Sequence, residues 1–462
     1  MRVHFTNLGC KLNQAELERL ARRFHAAGHQ VVGRLEEADL HVVNSCTVTH
    51  RAARDSRKVA RRGGRLEGDI KTVVTGCYVS DPELAAAAHE GIDLVVPNSH
   101  KEELLERVEA RFPELSAAGV AKGGGLPLDA LGQPEQALAF GNTRALVKAE
   151  DGCNMKCSFC IIPFTRGRQR SRSVAEVVAE VAELVAGGAV EVVVTGVQIS
   201  AYRAGQARLY DLARAILDDT DLPRLRLTSI APWQLDPRII DLWRDPRLCR
   251  HTHMSLQSGC DATLRRMRRP YSGERYREVV DSVRREISGM AVTTDVIVGF
   301  PGESDDEFAA GLDFVRSMDF AKIHVFPYST REGTLAAELP DAVPHEVKRR
   351  RMEAMLEVAA DSERRFQESR VGETLPVLWE RCREGRWSGV SDNYLKVFAP
   401  DDGRDFLNRL TATPVVATTG GGVVGDLAAS RDLLDAGRRL ALTPLAAQPA
   451  AVDASLLSSK SS

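Results

Sequence analysis

Short apolar runs alternate with amphipathic stretches through the N-terminal part of the chain. Helical periodicity runs from about Asn13 to Ala27, continues in an arginine-rich stretch near residue 50, and resumes from Asp81–Pro82. The apolar runs before and after these stretches are VHFTNLG, HVVNS, KTVVTG and IDLVVPN. Because strands that alternate with helices build parallel sheets, residues 1–112 are predicted to form a parallel α/β domain.

The same alternation resumes later in the chain. Residues 113–141 contain the glycines 123–125, several prolines and little periodicity, which indicates a linker. Between residues 142 and 367, six apolar runs are each followed by helical sequence, and a helical stretch from Pro344 to Glu368 ends this block. The runs are RALVKAE, VEVVVTG, RLRLTSI, THMSLQ, TTDVIVGF and KIHVFPYS. They predict a partial (β/α)6 barrel, in which the functional residues follow the strands.

The pattern changes again near residue 368. TLPVLWERC, GRWSGV, NYLKVFAP and TPVVATT are short strand-like runs separated by turn residues, which predicts a small β-barrel over residues 368–427. Residues 428–462 are rich in Ala, Leu and Ser and are predicted to be a weakly ordered tail.

Composition favours a soluble, cytoplasmic protein. No apolar run reaches the roughly eighteen residues of a membrane span, and the N-terminus does not resemble a signal peptide. A formal net charge of −2 over 462 residues excludes a uniformly basic surface but allows local basic patches. Arginine and lysine are concentrated in two segments, residues 51–65 and residues 166–172, at Arg51, Arg54, Arg57, Lys58, Arg61, Arg62, Arg65, Arg166, Arg168, Arg170 and Arg172. Each segment is either a nucleic-acid contact or a solvated face.

The nine cysteines point to metal chemistry rather than disulfides, because the cytoplasm is reducing. Cys153, Cys157 and Cys160 form a C-x3-C-x2-C group after the first strand of the barrel block. Zinc sites usually close with four ligands, and no fourth ligand lies nearby in the sequence. Three thiolates on a 4Fe–4S cluster instead leave one iron open to a small molecule.

Cys10, Cys46 and Cys77 are far apart in sequence, but each follows a predicted strand. The carboxyl ends of parallel strands meet at one edge of a sheet, so the three thiols are expected to converge. They are either ligands of a second cluster or buried structural thiols.

The stretch CNMKCSFC resembles the signature of radical-SAM enzymes. Over roughly residues 1–427 the chain resembles the methylthiotransferase family of these enzymes, on the motifs LGCKLNQAE, NSCTVT, SFCIIPFTRGRQRSR and SGVSDNYLKV. The resemblance implies an N-terminal cluster domain, a radical-SAM barrel and a C-terminal TRAM-like barrel that binds RNA. It further implies that Cys10, Cys46 and Cys77 hold one 4Fe–4S cluster, and that the cluster of the barrel cysteines binds S-adenosyl-L-methionine (SAM) and splits it to a 5′-deoxyadenosyl radical.

Three strand-end motifs, TGVQ, LQSG and GFPGE, are expected to contact SAM. The residues concerned are Gly196, Gln198, Gln257, Ser258, Gly299 and Gly302. The chain departs from its relatives at Gln198, where they have Asn, at Ala231, where they often have Glu, and at Cys260, where they have Ser. No catalytic acid is therefore expected at Ala231.

Other candidate ligands are interpreted as structural. Cys249, Cys260 and Cys382 match no cluster position of the family. His251 and His253 point the same way from one strand but have no third partner.

The motifs around the cysteines favour the family branch that acts on threonylcarbamoyl-adenosine beside the anticodon of tRNA. The alternatives are the branches for isopentenyl-adenosine and for an aspartate of a ribosomal protein, a radical-SAM enzyme acting on another protein, and a non-catalytic RNA-binding iron–sulfur protein. The expected partners are tRNA, an electron donor such as flavodoxin or ferredoxin, and a sulfur source, without a membrane. Arg386, Trp387, Tyr394 and Lys396 are candidates for RNA contacts on the small barrel.

Overall fold

The computed structural model describes residues 1–61, 70–80, 91–117 and 143–434. The predicted helix from Asp81–Pro82, most of the predicted linker 113–141 and the end of the predicted tail lie outside these ranges. In the described part of the chain, no helix is long and apolar enough to cross a membrane.

The N-terminal domain is a five-stranded parallel sheet in the order β2-β1-β3-β4-β5. Its strands are β1 (Arg2–Asn7), β2 (Gln30–Val31), β3 (Leu40–Ser45), β4 (Lys71–Gly76) and β5 (Leu94–Pro97). Its helices are α1 (Lys11–Ala26), α2 (His50–Ala60), α3 (Leu104–Arg111) and α4 (Pro113–Ala117). The parallel sheet is as the sequence predicts, and α4 lies in the segment predicted as linker.

Burial explains the register of this sheet. Phe5 of β1 stands opposite Val42 of β3, which stands opposite Val73 of β4, and all three are buried. Leu17 and Phe24 of α1 belong to the same apolar core. A slip by one residue would turn these side chains to the other face, so the core fixes which residues end each strand.

The central domain contains two three-stranded parallel sheets, in the orders β12-β9-β6 and β13-β14-β15. Their strands are β6 (Arg144–Lys148), β9 (Glu191–Thr195), β12 (Arg224–Leu227), β13 (His251–His253), β14 (Ala291–Val298) and β15 (Lys322–Pro327). A parallel bridge joins Leu225 of β12 to Leu248, which lies three residues before β13. All six strands are those that the sequence predicts. Their closure into one continuous six-stranded barrel stays a prediction.

The central domain also contains helices, and all of them except the short helix Ile162–Arg166 contribute to one apolar core shared with the sheets. The helices are α5 (Ile162–Arg166), α6 (Val174–Ala186), α7 (Leu209–Asp219), α8 (Pro237–Leu242), α9 (Asp261–Arg266), α10 (Gly273–Glu286), α11 (Asp305–Ser317) and α12 (His345–Glu368). Two short antiparallel pairs lie in the loops, namely β7 (Glu150–Asp151) with β8 (Arg170–Ser171), and β10 (Arg203–Ala204) with β11 (Ala207–Arg208).

The C-terminal domain is a closed small barrel, because β16 pairs with both β17 and β19 in the cycle β16-β17-β18-β20-β19. Its strands are β16 (Thr374–Arg383), β17 (Arg386–Ser391), β18 (Lys396–Pro400), β19 (Leu410–Thr419), β20 (Gly422–Gly425) and β21 (Arg431–Asp432). The last strand adds to β19 and lies within the segment predicted as tail.

Two buried arginines attach this barrel to the central domain. Arg224 and Arg226 pair with Glu191 at 2.5 and 2.7 Å and donate to backbone carbonyls of residues 390–392 in the small barrel. Burial alone would raise the pKa of Glu191, but the two guanidinium groups hold it at about 2. The carboxylate therefore stays charged and fixes the arginines that join the domains.

Candidate functional site

The barrel triad is the set Cys153, Cys157 and Cys160, and it lies in the loop between β7 and α5. Gly152 opens the loop at φ +74°, and a Cβ there would lie 2.7 Å from the carbonyl oxygen of Gly167, so only glycine fits. Burial, reinforced by the neighbouring thiols, raises the pKa of Cys160 to about 12 and also raises that of Cys153. Without a bound cation these groups would be neutral thiols, whereas a metal centre would deprotonate them.

A partly buried arginine, Arg269, faces the barrel triad. The Nη1 of Arg269 lies 3.3 Å from Sγ of Cys157, and its guanidinium stacks over Trp233 at 4.7 Å and Tyr271 at 5.2 Å. Sequence reasoning missed Arg269, because nothing in the run RRPY distinguishes it from a surface arginine. Its position brings positive charge next to the sulfur of Cys157.

A cavity of about 490 Å³ opens beside Cys153. Its lining includes Glu150, Met155, Gln198, Tyr202 and Asp236. Gln198 is the predicted SAM contact that lines it, with Oε1 lying 3.9 Å from Sγ of Cys153.

Glu150 is a further residue that the sequence did not single out. Its Oε2 accepts a hydrogen bond from the backbone N–H of Gln198 at 2.9 Å. Among the described residues its buried Oε1 has no partner. Burial raises the pKa of Glu150 to about 8, so the carboxyl is mainly protonated at neutral pH. A buried acid with one unpaired oxygen in a cavity next to a cysteine is typical of a binding site.

The structure gives three of the other predicted SAM residues local roles. Gly196 packs on Glu150, whose Oε2 would lie 2.6 Å from a Cβ at that position. Ser258 accepts a hydrogen bond on Oγ from the N–H of Cys260 at 3.2 Å. The backbone of Gln257 pairs with β14 and has φ +69°.

Gly299 and Gly302 lie in a turn that packs on α12. Lys348 occupies the space that a Cβ of Gly299 would need, and Gly302 donates its N–H to the carbonyl of Asp341. Neither glycine lines the cavity beside Cys153. A contact of Gly196, Gln257, Ser258, Gly299 or Gly302 with SAM stays a prediction.

The N-terminal triad is the set Cys10, Cys46 and Cys77, which follow β1, β3 and β4. The structure brings them together as expected: a Cβ added to Gly9 would lie 3.0 Å from Sγ of Cys46. Burial raises the pKa of Cys46 to about 11, and the thiols of Cys77 and Cys10 are close enough to raise it further. Three thiols that meet at one sheet edge suit a cationic ligand.

Two asparagines hold the loops of this triad. Asn13 donates through Nδ2 to the carbonyls of Leu8 and Ser45, each at 2.9 Å, and so ties the loops of Cys10 and Cys46 together. Nδ2 of Asn98 lies 3.7 Å from Sγ of Cys77. Both side chains are buried, and neither stands out in the sequence.

Within the described ranges, no group of three His, Cys, Asp or Glu side chains is placed to close around a single metal ion. A 4Fe–4S cluster binds each thiolate at a different iron, so its ligands stand further apart than those of one ion. The all-sulfur donor sets of both triads fit such a cluster better than a hard cation.

An ionic core lies between the two triads. Glu16 of α1 is buried and pairs with Lys101 at 2.6 Å, Lys148 at 3.0 Å and Arg166 at 2.9 Å. Arg166 also pairs with Asp151 at 2.9 Å. Although burial disfavours its charge, the three cations hold the pKa of Glu16 well below its usual range. The sequence placed Arg166 in a basic segment predicted to contact nucleic acid or solvent. For Arg166 this prediction is wrong, because its side chain is 1% exposed.

The remaining sequence candidates have ordinary environments. His251 and His253 both contact Oγ1 of Thr293, at 3.1 and 3.0 Å, and no metal-binding group forms around them among the residues described. Cys249 is buried, Cys260 is partly buried, and Cys382 is exposed. Ala231 donates its N–H to Oγ of Ser200 at 2.9 Å.

The predicted RNA contacts divide into two pairs. Arg386 and Lys396 are exposed, and both reach the ring of Phe398, at 4.4 and 5.7 Å. Trp387 is buried in the barrel core. Tyr394 stacks on His251 at 4.2 Å and accepts a hydrogen bond from Lys11 at 3.0 Å. The expectation that Trp387 and Tyr394 present free faces to bases is therefore wrong.

The other predicted basic segment is exposed where it is described. Arg51, Arg54, Arg57 and Lys58 of α2 point to solvent, as does Arg61 after it, whereas Arg62 and Arg65 lie outside the described residues. A role in RNA binding for this face stays a prediction.

Comparisons with known proteins agree with this geometry. The model of the Radical SAM superfamily matches residues 149–315, and that of the Uncharacterized protein family UPF0004 matches residues 2–97. The Radical SAM model covers the barrel triad, and the UPF0004 model covers the N-terminal triad.

Curated relatives extend over most of the chain. Threonylcarbamoyladenosine tRNA methylthiotransferase MtaB of Bacillus subtilis (strain 168) is 34% identical, covering 86% of this chain and 89% of the relative. The protein of the same name from Aquifex aeolicus (strain VF5) is 33% identical over 86% and 96%. A tRNA-2-methylthio-N(6)-dimethylallyladenosine synthase of Acidothermus cellulolyticus (strain ATCC 43068 / DSM 8971 / 11B) is 36% identical over 86% and 82%.

A solved structure shares the fold. The radical S-adenosylmethionine methyltransferase TsrM from Kitasatospora setae, with cobalamin and a [4Fe-4S] cluster bound, superposes with a TM-score of 0.53 at 18% identity. The match covers 73% of this chain and 77% of that chain. With two cysteine triads in place and relatives of this identity along most of its length, the chain belongs to the tRNA methylthiotransferase family of radical-SAM enzymes, which use SAM and 4Fe–4S clusters.

Proposed function

We propose that the protein adds a methylthio group to threonylcarbamoyl-adenosine beside the anticodon of tRNA, with one 4Fe–4S cluster on each cysteine triad. The observation that carries this proposal is the convergence of Cys10, Cys46 and Cys77 at one sheet edge, separate from the barrel triad. A radical-SAM enzyme that only generates a radical needs the barrel triad alone. A second all-sulfur site supports a reaction that also handles sulfur.

When bound, the cluster of the barrel triad and SAM supply a radical able to take hydrogen from a carbon that no side-chain base could deprotonate. The residues around the triad prepare the site for them. Arg269 places a positive charge 3.3 Å from Sγ of Cys157. Glu150 holds the turn at Gln198 through a hydrogen bond to Oε2.

The choice of the threonylcarbamoyl branch rests on motifs rather than on overall identity. Relatives from Bacillus subtilis and Acidothermus cellulolyticus carry the names of the two different tRNA branches at 34% and 36% identity, so identity does not separate them. Two motifs favour the threonylcarbamoyl-adenosine branch, namely LGCKLNQAE around Cys10 and the arginine-rich run after Cys160. The dimethylallyl-adenosine branch is the second candidate.

The small barrel offers a face for tRNA. Arg381, Arg383 and Arg386 lie exposed at the hairpin of β16 and β17, and Lys396 is exposed on β18. Phe398 lies partly exposed between Arg386 and Lys396. Cations around an aromatic ring suit phosphate contacts and stacking on a base. An electron donor such as flavodoxin or ferredoxin, a sulfur source and a cytoplasmic location complete the proposal.

Analysis of tRNA nucleosides by mass spectrometry tests the function. A strain lacking the gene should lose 2-methylthio-threonylcarbamoyl-adenosine and accumulate the unthiolated nucleoside, and the wild-type gene should restore it. Loss of the methylthio dimethylallyl nucleoside instead would assign the protein to the second branch. An unchanged nucleoside profile would contradict both.

A further inference from the structure

We infer that Arg166 is a positioning residue for the N-terminal cluster, reaching across from the barrel loop to balance its charge and to hold the two triads at a set spacing. The inference rests on the proposed assignment of clusters to the triads.

The path from one triad to the other is short and rigid. Helix α5 (Ile162–Arg166) begins two positions after Cys160 and ends at Arg166. The guanidinium of Arg166 donates to Glu16 and Asp151, each at 2.9 Å, and to Oδ1 of Asn13 at 2.5 Å. Because a guanidinium is planar and forked, these contacts fix its orientation as well as its position.

The contacts continue to all three N-terminal cysteines. Asn13, which accepts from Arg166, ties together the loops of Cys10 and Cys46. One residue before Arg166, the carbonyl of Thr165 accepts a hydrogen bond at 3.0 Å from Asn98, whose Nδ2 also faces Cys77. The last turn of α5 thus contacts both asparagines that hold the triad.

Charge counting indicates an anionic occupant. The ion pairs of this core join three carboxylates, Glu16, Asp151 and Glu102, to four cations, Lys101, Lys148, Arg166 and Arg170. Glu16 is already paired with both lysines, so a third buried cation is not needed to neutralise it. Arg166 is 1% exposed and contacts Asn13, whose amide holds the loops of Cys10 and Cys46. A cluster bound by three thiolates is the anion that would use this charge.

The test isolates the N-terminal cluster. In the full chain with Cys153, Cys157 and Cys160 replaced by Ala, the remaining cluster is reconstituted, its iron is counted, and its midpoint potential is measured by EPR-monitored titration. A neighbouring cation favours the more negative reduced cluster. Arg166→Met should therefore shift the potential to more negative values, and Glu16→Gln, which removes a negative charge, should shift it to more positive values.

Arg170→Met is the matched control. Arg170 lies four residues further along the chain and pairs with the same Asp151 at 2.9 Å, but its side chain is 52% exposed, so solvent screens its charge. The control should keep the potential and the iron content of its parent. Arg166→Lys keeps the charge but loses the forked guanidinium, so the potential measured without the barrel cysteines should stay the same. In the chain that has the barrel cysteines, the same change should lower the yield of methylthiolated tRNA per 5′-deoxyadenosine.

The outcomes distinguish the two proposals. If the parent variant without the barrel cysteines binds no iron, the N-terminal cluster does not exist and both proposals fail. If it binds iron but Arg166→Met and Glu16→Gln leave the potential where it was, the inference about Arg166 is wrong and the cluster assignment stands. If Arg166→Met fails to fold, two other results test the inference about Arg166. They are the direction in which Glu16→Gln shifts the midpoint potential and the ratio of methylthiolated tRNA to 5′-deoxyadenosine in Arg166→Lys.

Discussion

The barrel triad comes from a single loop, whereas the N-terminal triad comes from the ends of three strands between residues 1 and 77. The loop between Cys153 and Cys160 itself determines the spacing of the barrel cysteines, and Gly152 provides the positive φ at which this loop begins. The N-terminal cysteines are brought together only by the register of β1, β3 and β4. Their sources of positive charge differ too: Arg269 belongs to the same domain as the barrel triad, while Arg166 enters the N-terminal site from the neighbouring domain.

This difference indicates how the two sites depend on the rest of the molecule. A local loop can form its site as long as its own domain is folded. A site assembled from strand ends and closed by a neighbouring domain depends on the sheet, the ionic core and the domain contact together. Formation of the barrel site is therefore expected to tolerate changes elsewhere in the molecule, whereas formation of the N-terminal site should depend on the contact between the domains.

The largest expected effect separates the triads by task. Cys46→Ala should still produce 5′-deoxyadenosine from SAM under reductant but should yield no methylthiolated tRNA. Cys157→Ala should lose both products, because the radical chemistry depends on the barrel triad. Both products are measured in anaerobic assays by chromatography and mass spectrometry. Methylthiolation at a normal rate by Cys46→Ala would remove the N-terminal triad from the sulfur step.

Iron content gives the next largest effect. If each triad holds one 4Fe–4S cluster, the reconstituted chain should bind about eight irons, and replacing either triad by Ala should leave about four. The barrel site should load as completely without the N-terminal cysteines as with them, whereas the N-terminal site should load less completely when the domain contact is weakened. A wild-type value near four together with full activity would show that only one triad is a cluster site.

A smaller effect is expected at Arg269. Replacing it with Met removes a charged hydrogen bond to Cys157, which is worth about 1.5–3 kcal/mol and corresponds to roughly a 10–150-fold slower cleavage of SAM. Arg269→Lys should recover part of the rate. The N-terminal cluster should be unaffected in both variants, as judged by its potential. An unchanged rate in Arg269→Met would mean that the guanidinium serves packing on Trp233 alone.

The smallest effect concerns tRNA binding and should leave both triads intact. Changing Arg381, Arg383, Arg386 and Lys396 to Gln should weaken tRNA binding and reduce its salt dependence, because fewer counterions are released from phosphates. Iron content and SAM cleavage without tRNA should stay normal. The control is the same change at Arg349, an exposed residue of α12 in the central domain. Equal affinity and equal salt slope would move the tRNA site to the face of α2.

The amino-acid sequence determined the parallel α/β character of the first domain, the six strands of the second and the short strands of the third, because each follows from local periodicity and turn residues. It also determined the barrel triad, whose three cysteines are within one loop. For the N-terminal triad, the rule that parallel strands end at one edge was enough to predict convergence, which the packing beside Gly9 shows. The assignment of its cysteines as ligands stays a prediction.

Only the tertiary structure decided which polar residues serve these sites. Arg166 belongs to an arginine-rich run typical of a surface, yet it is buried, because its partners Glu16, Asn13 and Asp151 come from distant parts of the chain. Glu150 and Arg269 become notable through burial and proximity to sulfur, which no local pattern encodes. Tyr394 looked like a base-stacking residue until the domain contact placed its ring on His251. Periodicity reports which face of an element is buried, but the identity of the neighbour depends on long-range packing between domains.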